Sequence, residues 1–192
     1  MNAAQSPLPT AATSVFIACD VQQNLAAAMP AKFVQGHLTR AGKLLEAANG
    51  CGVPAAVVEQ DMPSLGAALP VVAGPAANAP VFRRATFSAL RDDTIVQWLE
   101  DQKRHWLVLA GMESHISVLQ TALDWQSRGG SAAVIEDAVL ARHKDDHRAA
   151  IAQLRASGVA ILSFEALLFA WIGAINNPAF KLLSHLTRER DH

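Results

Sequence analysis

The chain has 192 residues, 51% of them hydrophobic, and a formal net charge of -1. That is apolar material for one sizeable core, and it excludes the strongly basic field that draws nucleic acid or acidic lipid. Its two cysteines, Cys19 and Cys51, make neither a disulfide framework nor a Cys-rich zinc site.

In chain order, MNAAQSPLPTAATS carries no lysine or arginine, and residues 1–13 read as a flexible lead-in rather than a presequence. SVFIACD (14–20) is the first apolar run of strand length. AKFVQGHLTRAGKLLEAANG follows, with Phe33, Val34, Leu38, Ala41, Leu44 and Leu45 on one helical face and NGCG as a stop signal. VPAAVVEQ (53–60) predicts a second strand. The Pro and Gly spacing of residues 61–79 forbids a long helix and predicts a surface loop. PVFRR (80–84) predicts a short third strand, and DDTIVQWLEDQKR a helix with acids first and bases last, matching its dipole. HWLVLAG (105–111) predicts a strand running into the helical pattern GMESHISVLQTALD (111–124). SAAVIED (131–137) and GVAILSF (158–164) predict two more strands around the helix DDHRAAIAQLRASG. SFEALLFAWIGAI is too apolar for full exposure and predicts a homodimer or larger assembly. No apolar run nears the roughly 18 residues that span a bilayer, so no membrane partner is expected.

Continuous apolar strands alternating with amphipathic helices point to an α/β fold, a mostly parallel sheet covered on both faces, as a single domain over 14–192. Ligands of such sheets bind outside the carboxyl ends of the strands, where strand order reverses. Those ends hold Asp20, Glu59–Asp61, Arg83–Arg84, Gly111–Ser117 and Glu136–Asp137. Asp20 ends a hydrophobic strand, where a carboxylate needs water, hydrogen bonds or a partner. One of Arg83 and Arg84 is its candidate partner, against the alternative of two solvated arginines. Ser114 reads as a helix N-cap. Ser117 lies in the first turn, near N–H groups able to hold an oxyanion, but no histidine base accompanies it in sequence. His143 and His147 share a helix face without a third ligand, against metal binding. Cys19 reads as a small buried hydrophobe.

Several segments together resemble the isochorismatase-like cysteine hydrolases, over about residues 14–187. CDVQQNL is similar to the family's first-strand segment with its catalytic aspartate, here Asp20. VVEQDMPSLG is similar to the second strand and its loop. RRATFSAL resembles the segment that carries the catalytic lysine, a position held here by Arg84. LVLAGMESHISVLQTALD resembles the nucleophile motif, with Ser117 at the cysteine position. IEDAVLAR, SFEALLFAWI and PAFKLLSHL extend the match.

The resemblance implies a three-layer α/β/α sandwich with a six-stranded Rossmann-like sheet, commonly assembled as dimers or larger. It implies an Asp-Lys-Cys mechanism in which the aspartate takes the thiol proton, the cation steadies the thiolate and backbone amides hold the oxyanion. Met112, Glu113 and Gln22 fall on its substrate and oxyanion side, and a cis peptide is expected within Gly111–Met112–Glu113. Nicotinamidase members bind a metal through histidines after the second strand; EQDMP has none, so neither metal nor cofactor is expected.

Two of three triad positions are altered. A thiol is readily driven to thiolate by a nearby cation, whereas a serine hydroxyl must lose its proton as it attacks. Asp20 is a poor base for that unless burial raises its pKa. Arginine keeps the charge but is planar, and a two-pronged pair with Asp20 would hold the carboxylate ionised. True isochorismatases carry glycine at the cysteine position and use the aspartate as an acid, but keep the lysine. The expectation is a hydrolase of a small amide or ether with an altered or impaired centre, in a cytoplasmic setting, an organellar one being left open. The alternative is a non-catalytic descendant that binds a small molecule or a partner. Ribonuclease chemistry, a label some relatives carry, finds little support in a near-neutral chain with the lone cluster Arg83, Arg84, Arg91.

Overall fold

The computed structural model describes residues 7–76 and 78–188. Six strands form one sheet: β1 (Ser14–Cys19), β2 (Ala55–Gln60), β3 (Val81–Arg84), β4 (Trp106–Met112), β5 (Ser131–Leu140) and β6 (Ala160–Leu162). Their order is β3-β2-β1-β4-β5-β6, and every neighbouring pair is parallel. The helices are α1 (Gln23–Ala27), α2 (Ala31–Gly50), α3 (Pro70–Ala73), α4 (Asp93–Gln102), α5 (Leu119–Ser127), α6 (Lys144–Ala156), α7 (Phe164–Ile172) and α8 (Phe180–Arg188).

Side-chain alternation along the strands makes the three layers. Phe16, Ala18, Val57, Val108 and Ala110 face a core shared with α2, α7 and α8. Val15, Ile17, Cys19, Leu107 and Leu109 face the opposite core with α4, α5 and α6. Both faces are therefore apolar, as a parallel sheet requires. Local signals agree: the Asp92 carboxylate caps α4 at the N–H groups of Thr94 (3.0 Å) and Ile95 (3.2 Å).

Three expectations need correction. Residues 61–79 are not simply a surface loop: Val72 of α3 is fully buried against α2. Gly42 allows that approach, since a Cβ there would lie 2.2 Å from the Val71 carbonyl oxygen. β5 runs on to Leu140 because a bulge interrupts its pairing with β4 between Leu109 and Gly111. The lead-in is fixed before β1: Ser14 Oγ donates to the Thr10 carbonyl at 2.6 Å and Trp106 N–H to that of Thr13 at 2.9 Å. Its residues 1–6 lie outside the described residues. The apolarity of α7 is absorbed within the chain, since Phe164, Leu167, Leu168, Trp171 and Ile172 are buried; Phe169 and Ile175 stay exposed. Among the described residues no helix is long and apolar enough to cross a membrane.

Candidate active site

β1 lies where the strand order reverses, between β2 and β4. Its last residue hands over to Asp20, whose φ of 50° turns the carboxylate back over the sheet end. Beside it stands Gly111, the penultimate residue of β4, with φ 109°. A Cβ on Gly111 would meet the Cys19 carbonyl oxygen at 2.0 Å, so only glycine lets the strands close here. The Met112–Glu113 peptide is cis, within the expected stretch. One wide turn of π-helix, Ser114–Val118, then carries Ser117 inward ahead of α5.

Three side chains from three segments meet. Ser117 Oγ donates to Asp20 Oδ2 at 2.5 Å. Arg84 Nη2 donates to Asp20 Oδ1 (3.1 Å), Asp20 Oδ2 (2.9 Å) and Ser117 Oγ (3.1 Å). Arg84 Nη1 donates to Gln60 Oε1 (2.7 Å) and the Thr86 carbonyl (2.5 Å). Asp20, Arg84 and Ser117 are 3%, 1% and 2% exposed, so all three are lifted out of bulk water. The pair is not the fork expected of arginine: one nitrogen serves both carboxylate oxygens, and Arg84 Nε is buried without a partner.

Burial raises the Asp20 pKa above the ordinary carboxyl value, with the Arg84 charge and the Ser117 and Arg84 hydrogen bonds pulling the other way. Burial, with the Asp20 charge added, pushes the neighbouring Cys19 thiol up to about 12, leaving it inert.

The family model of the isochorismatase domain matches residues 14–166. The chain belongs to the isochorismatase family. Isochorismatase domain-containing protein 1 of Danio rerio is 29% identical over 177 residues, spanning 92% of this chain and 62% of that relative. This chain thus falls well short of that relative's length. The secreted isochorismatase effector Isc1 of Phytophthora sojae is 30% identical over 184 residues, covering 92% and 85% of the two chains. Among solved structures, the MAR1 ribonuclease of Caenorhabditis elegans superposes with a TM-score of 0.89 at 28% identity, covering 96% of this chain and 95% of that one. The octameric YcaC hydrolase of Escherichia coli, of unknown specificity, has a TM-score of 0.85 at 15% identity, covering 95% and 90%, and shares the fold.

Other residues singled out in the sequence fall around this isochorismatase-family centre in different roles. Arg83 points away from Asp20 and donates from Nε to Glu59 Oε2 at 3.0 Å. Ser114 is not an N-cap: it is buried, and its Oγ pairs with His147 Nδ1 at 3.1 Å. The turn opens as a π-turn, so Ser114 stands inside it and Glu113 takes the cap position without a side-chain cap. Ser117 is buried as well. The Glu113 side chain is occupied by Arg142, through its backbone N–H (3.0 Å) and Nε (3.1 Å), and the Met112 side chain lies in the core. At Gln22, Nε2 donates to the carbonyls of Gln60 (3.2 Å) and Gly66 (2.8 Å), and Oε1 accepts from Gln60 N–H (2.9 Å). That amide braces the wall of the site, with both N–H groups spent. His143 stands at the N-terminal boundary of α6 while His147 turns to Ser114, so the two do not act together. Among the described residues no group of three or more His, Cys, Asp or Glu side chains is arranged to hold a metal ion.

Sequence reasoning missed Gln60, Arg142 and His147 as supports of the site. Gln60 lies within the strand-end stretch Glu59–Asp61, though without a role assigned to it. Arg142 and His147 gave no signal, because their partners sit about 30 positions away.

Proposed function

We propose that this chain hydrolyses a small amide or ether, with Asp20 as the group that moves the proton. One observation carries the reading: Asp20, Arg84 and Ser117 close a buried hydrogen-bonded triangle at the reversal of strand order. Burial raises the proton affinity of Asp20, while Arg84 and Ser117 lower it, so the protonated carboxyl gives its proton to the leaving group as that bond breaks, water adds its hydroxyl to the substrate carbon, and the proton that water loses returns to Asp20. Ser117 orients this carboxyl rather than attacking. Its Oγ donates its proton to Asp20 and accepts from Arg84 Nη2, and these two bonds hold the carboxyl against the guanidinium. The Met112–Glu113 backbone and the first turn after it form the oxyanion side, and Gln22 braces the opposite wall at Gln60 and Gly66.

A second reading, a ligand-binding descendant without turnover, draws on the same triangle, because both carboxylate oxygens and the hydroxyl are already paired within the protein. The ribonuclease named among the similar structures does not lead here, since Arg83 and Arg91 are neutralised by Glu59 and Asp124. We also propose self-association in a cytoplasmic setting, with Phe169 and Ile175 among the exposed apolar side chains available to the contact. A monomer by light scattering at micromolar concentration contradicts that assembly.

The test is a panel of small amides and ethers assayed with the wild type and Asp20→Asn. The expected result is hydrolysis of at least one compound, reduced by roughly a hundredfold or more in Asp20→Asn. Equal turnover by both proteins overturns the assignment, and binding without turnover across the panel selects the second reading.

A further inference from the structure

We propose that Gln60 is a positioning residue that aims the Arg84 guanidinium at Asp20 and Ser117 together. The proposal rests on the reading of that triangle as the reaction centre. Arg84 leaves β3, which is not a neighbour of β1, so its side chain must cross the end of β2 to reach Asp20. Gln60 is the last residue of β2 and stands in register with Arg84. Its two amide atoms hold the arginine at both ends: Oε1 accepts from Nη1 at 2.7 Å, and Nε2 donates to the Arg84 carbonyl at 3.2 Å. The Gln60 backbone is itself pinned on both its N–H and its carbonyl by Gln22.

The irregular geometry of the ion pair reveals this constraint. An arginine free to choose meets a carboxylate with two nitrogens in parallel. Here Nη1 is diverted to Gln60 and Thr86, Nε has no acceptor, and Nη2 alone serves Asp20. Because the guanidinium is planar, fixing Nη1 fixes where Nη2 points. The result is a cation shared between the Asp20 carboxylate and Ser117 Oγ at 3.1 Å, where a two-nitrogen fork would spend it on the carboxylate. Gln60 therefore sets how much positive charge position 117 feels.

The experiment reads that charge through a reporter thiol. Ser117→Cys is combined with Gln60→Leu, Arg84→Lys, or both, and iodoacetamide labelling rates are followed against pH, with peptide mapping to separate Cys19 and Cys51. In the Arg84 background, Gln60→Leu is expected to raise the pKa of the reporter thiol by about one unit, slowing labelling near neutral pH roughly tenfold. In the Arg84→Lys background the same change is expected to shift the rate less than about twofold, because an ammonium has no planar frame through which a bond to Gln60 fixes the direction of its other donors. Should Gln60→Leu fail to fold, Gln60→Asn keeps the amide and withdraws Oε1 from Nη1, with the same expected direction. Equal slowing in both backgrounds reduces Gln60 to a structural part, and no slowing in the Arg84 background overturns the proposal. Labelling needs no turnover, so a failed search for hydrolysis leaves this result interpretable.

Discussion

Two ion pairs stand side by side at the end of β3, and they differ in almost everything that matters. Arg84 and Asp20 have side chains 0% and 4% exposed, are joined with Ser117 by four hydrogen bonds and face the strand-order reversal. Arg83 and Glu59 meet at 3.0 Å, but the arginine is 67% exposed and only the carboxylate is buried. Glu59 also accepts from the Ala68 N–H at 2.8 Å, which ties down the loop after β2. Successive residues of a strand face opposite ways, so one arginine lies inside the site and its neighbour outside it. The inner pair has lost its hydration and depends on its partners. The outer pair keeps water as a substitute.

Removing each arginine gives the largest contrast. Arg84→Ala leaves Asp20 buried without its cation and is expected to cost about 3–5 kcal/mol in urea unfolding. Arg83→Ala is expected to cost less than about 1 kcal/mol, because screening by solvent already weakens that pair. Equal costs would erase the distinction.

A chemical contrast comes next. In Ser117→Cys combined with Arg84→Lys, the new thiol is expected to alkylate faster than Cys19, whose pKa stands near 12, and faster than Cys51, which burial also raises. A thiol at position 117 titrating at or above the ordinary value of about 8.5 would show that the inner pocket does not activate a nucleophile.

The smallest expected effect is in the pH dependence of stability. The folded-state pKa of Asp20 lies above its unfolded value, so between the two the folded protein holds the extra proton. Its contribution is therefore fully present below about pH 3.9 and is lost as pH rises through the folded pKa. The difference in unfolding free energy between wild type and Asp20→Asn is expected to move against the wild type over that window. A flat difference contradicts the raised pKa.

Much of the frame was legible in the sequence. The helix over Ala31–Gly50 follows from the apolar spacing: Leu38, Ala41, Leu44 and Leu45 are buried on the face it predicts, while Phe33 in the first turn is exposed. Six apolar runs became six strands, and the strand-end rule placed Asp20 and the Ser117 turn at one edge. The direction of Arg84 was not legible, because two adjacent arginines carry no mark of which faces in. Ser114 misled because a serine before a helical pattern satisfies the capping rule, while the π-turn that buries it depends on the packing of α6. Val72 was hidden in a Pro- and Gly-rich stretch whose burial depends on Gly42 in another helix. The support from Gln60 needed the pairing of β2 with β3, a long-range fact.

The turnover of Ser117→Ala, measured beside wild type on the same small amide or ether, tests the central claim most directly. If Asp20 moves the proton and Ser117 only orients it, turnover stays within about threefold of wild type. A hundredfold loss, equal to about 2.7 kcal/mol of barrier, would make Ser117 the working nucleophile and contradict the account.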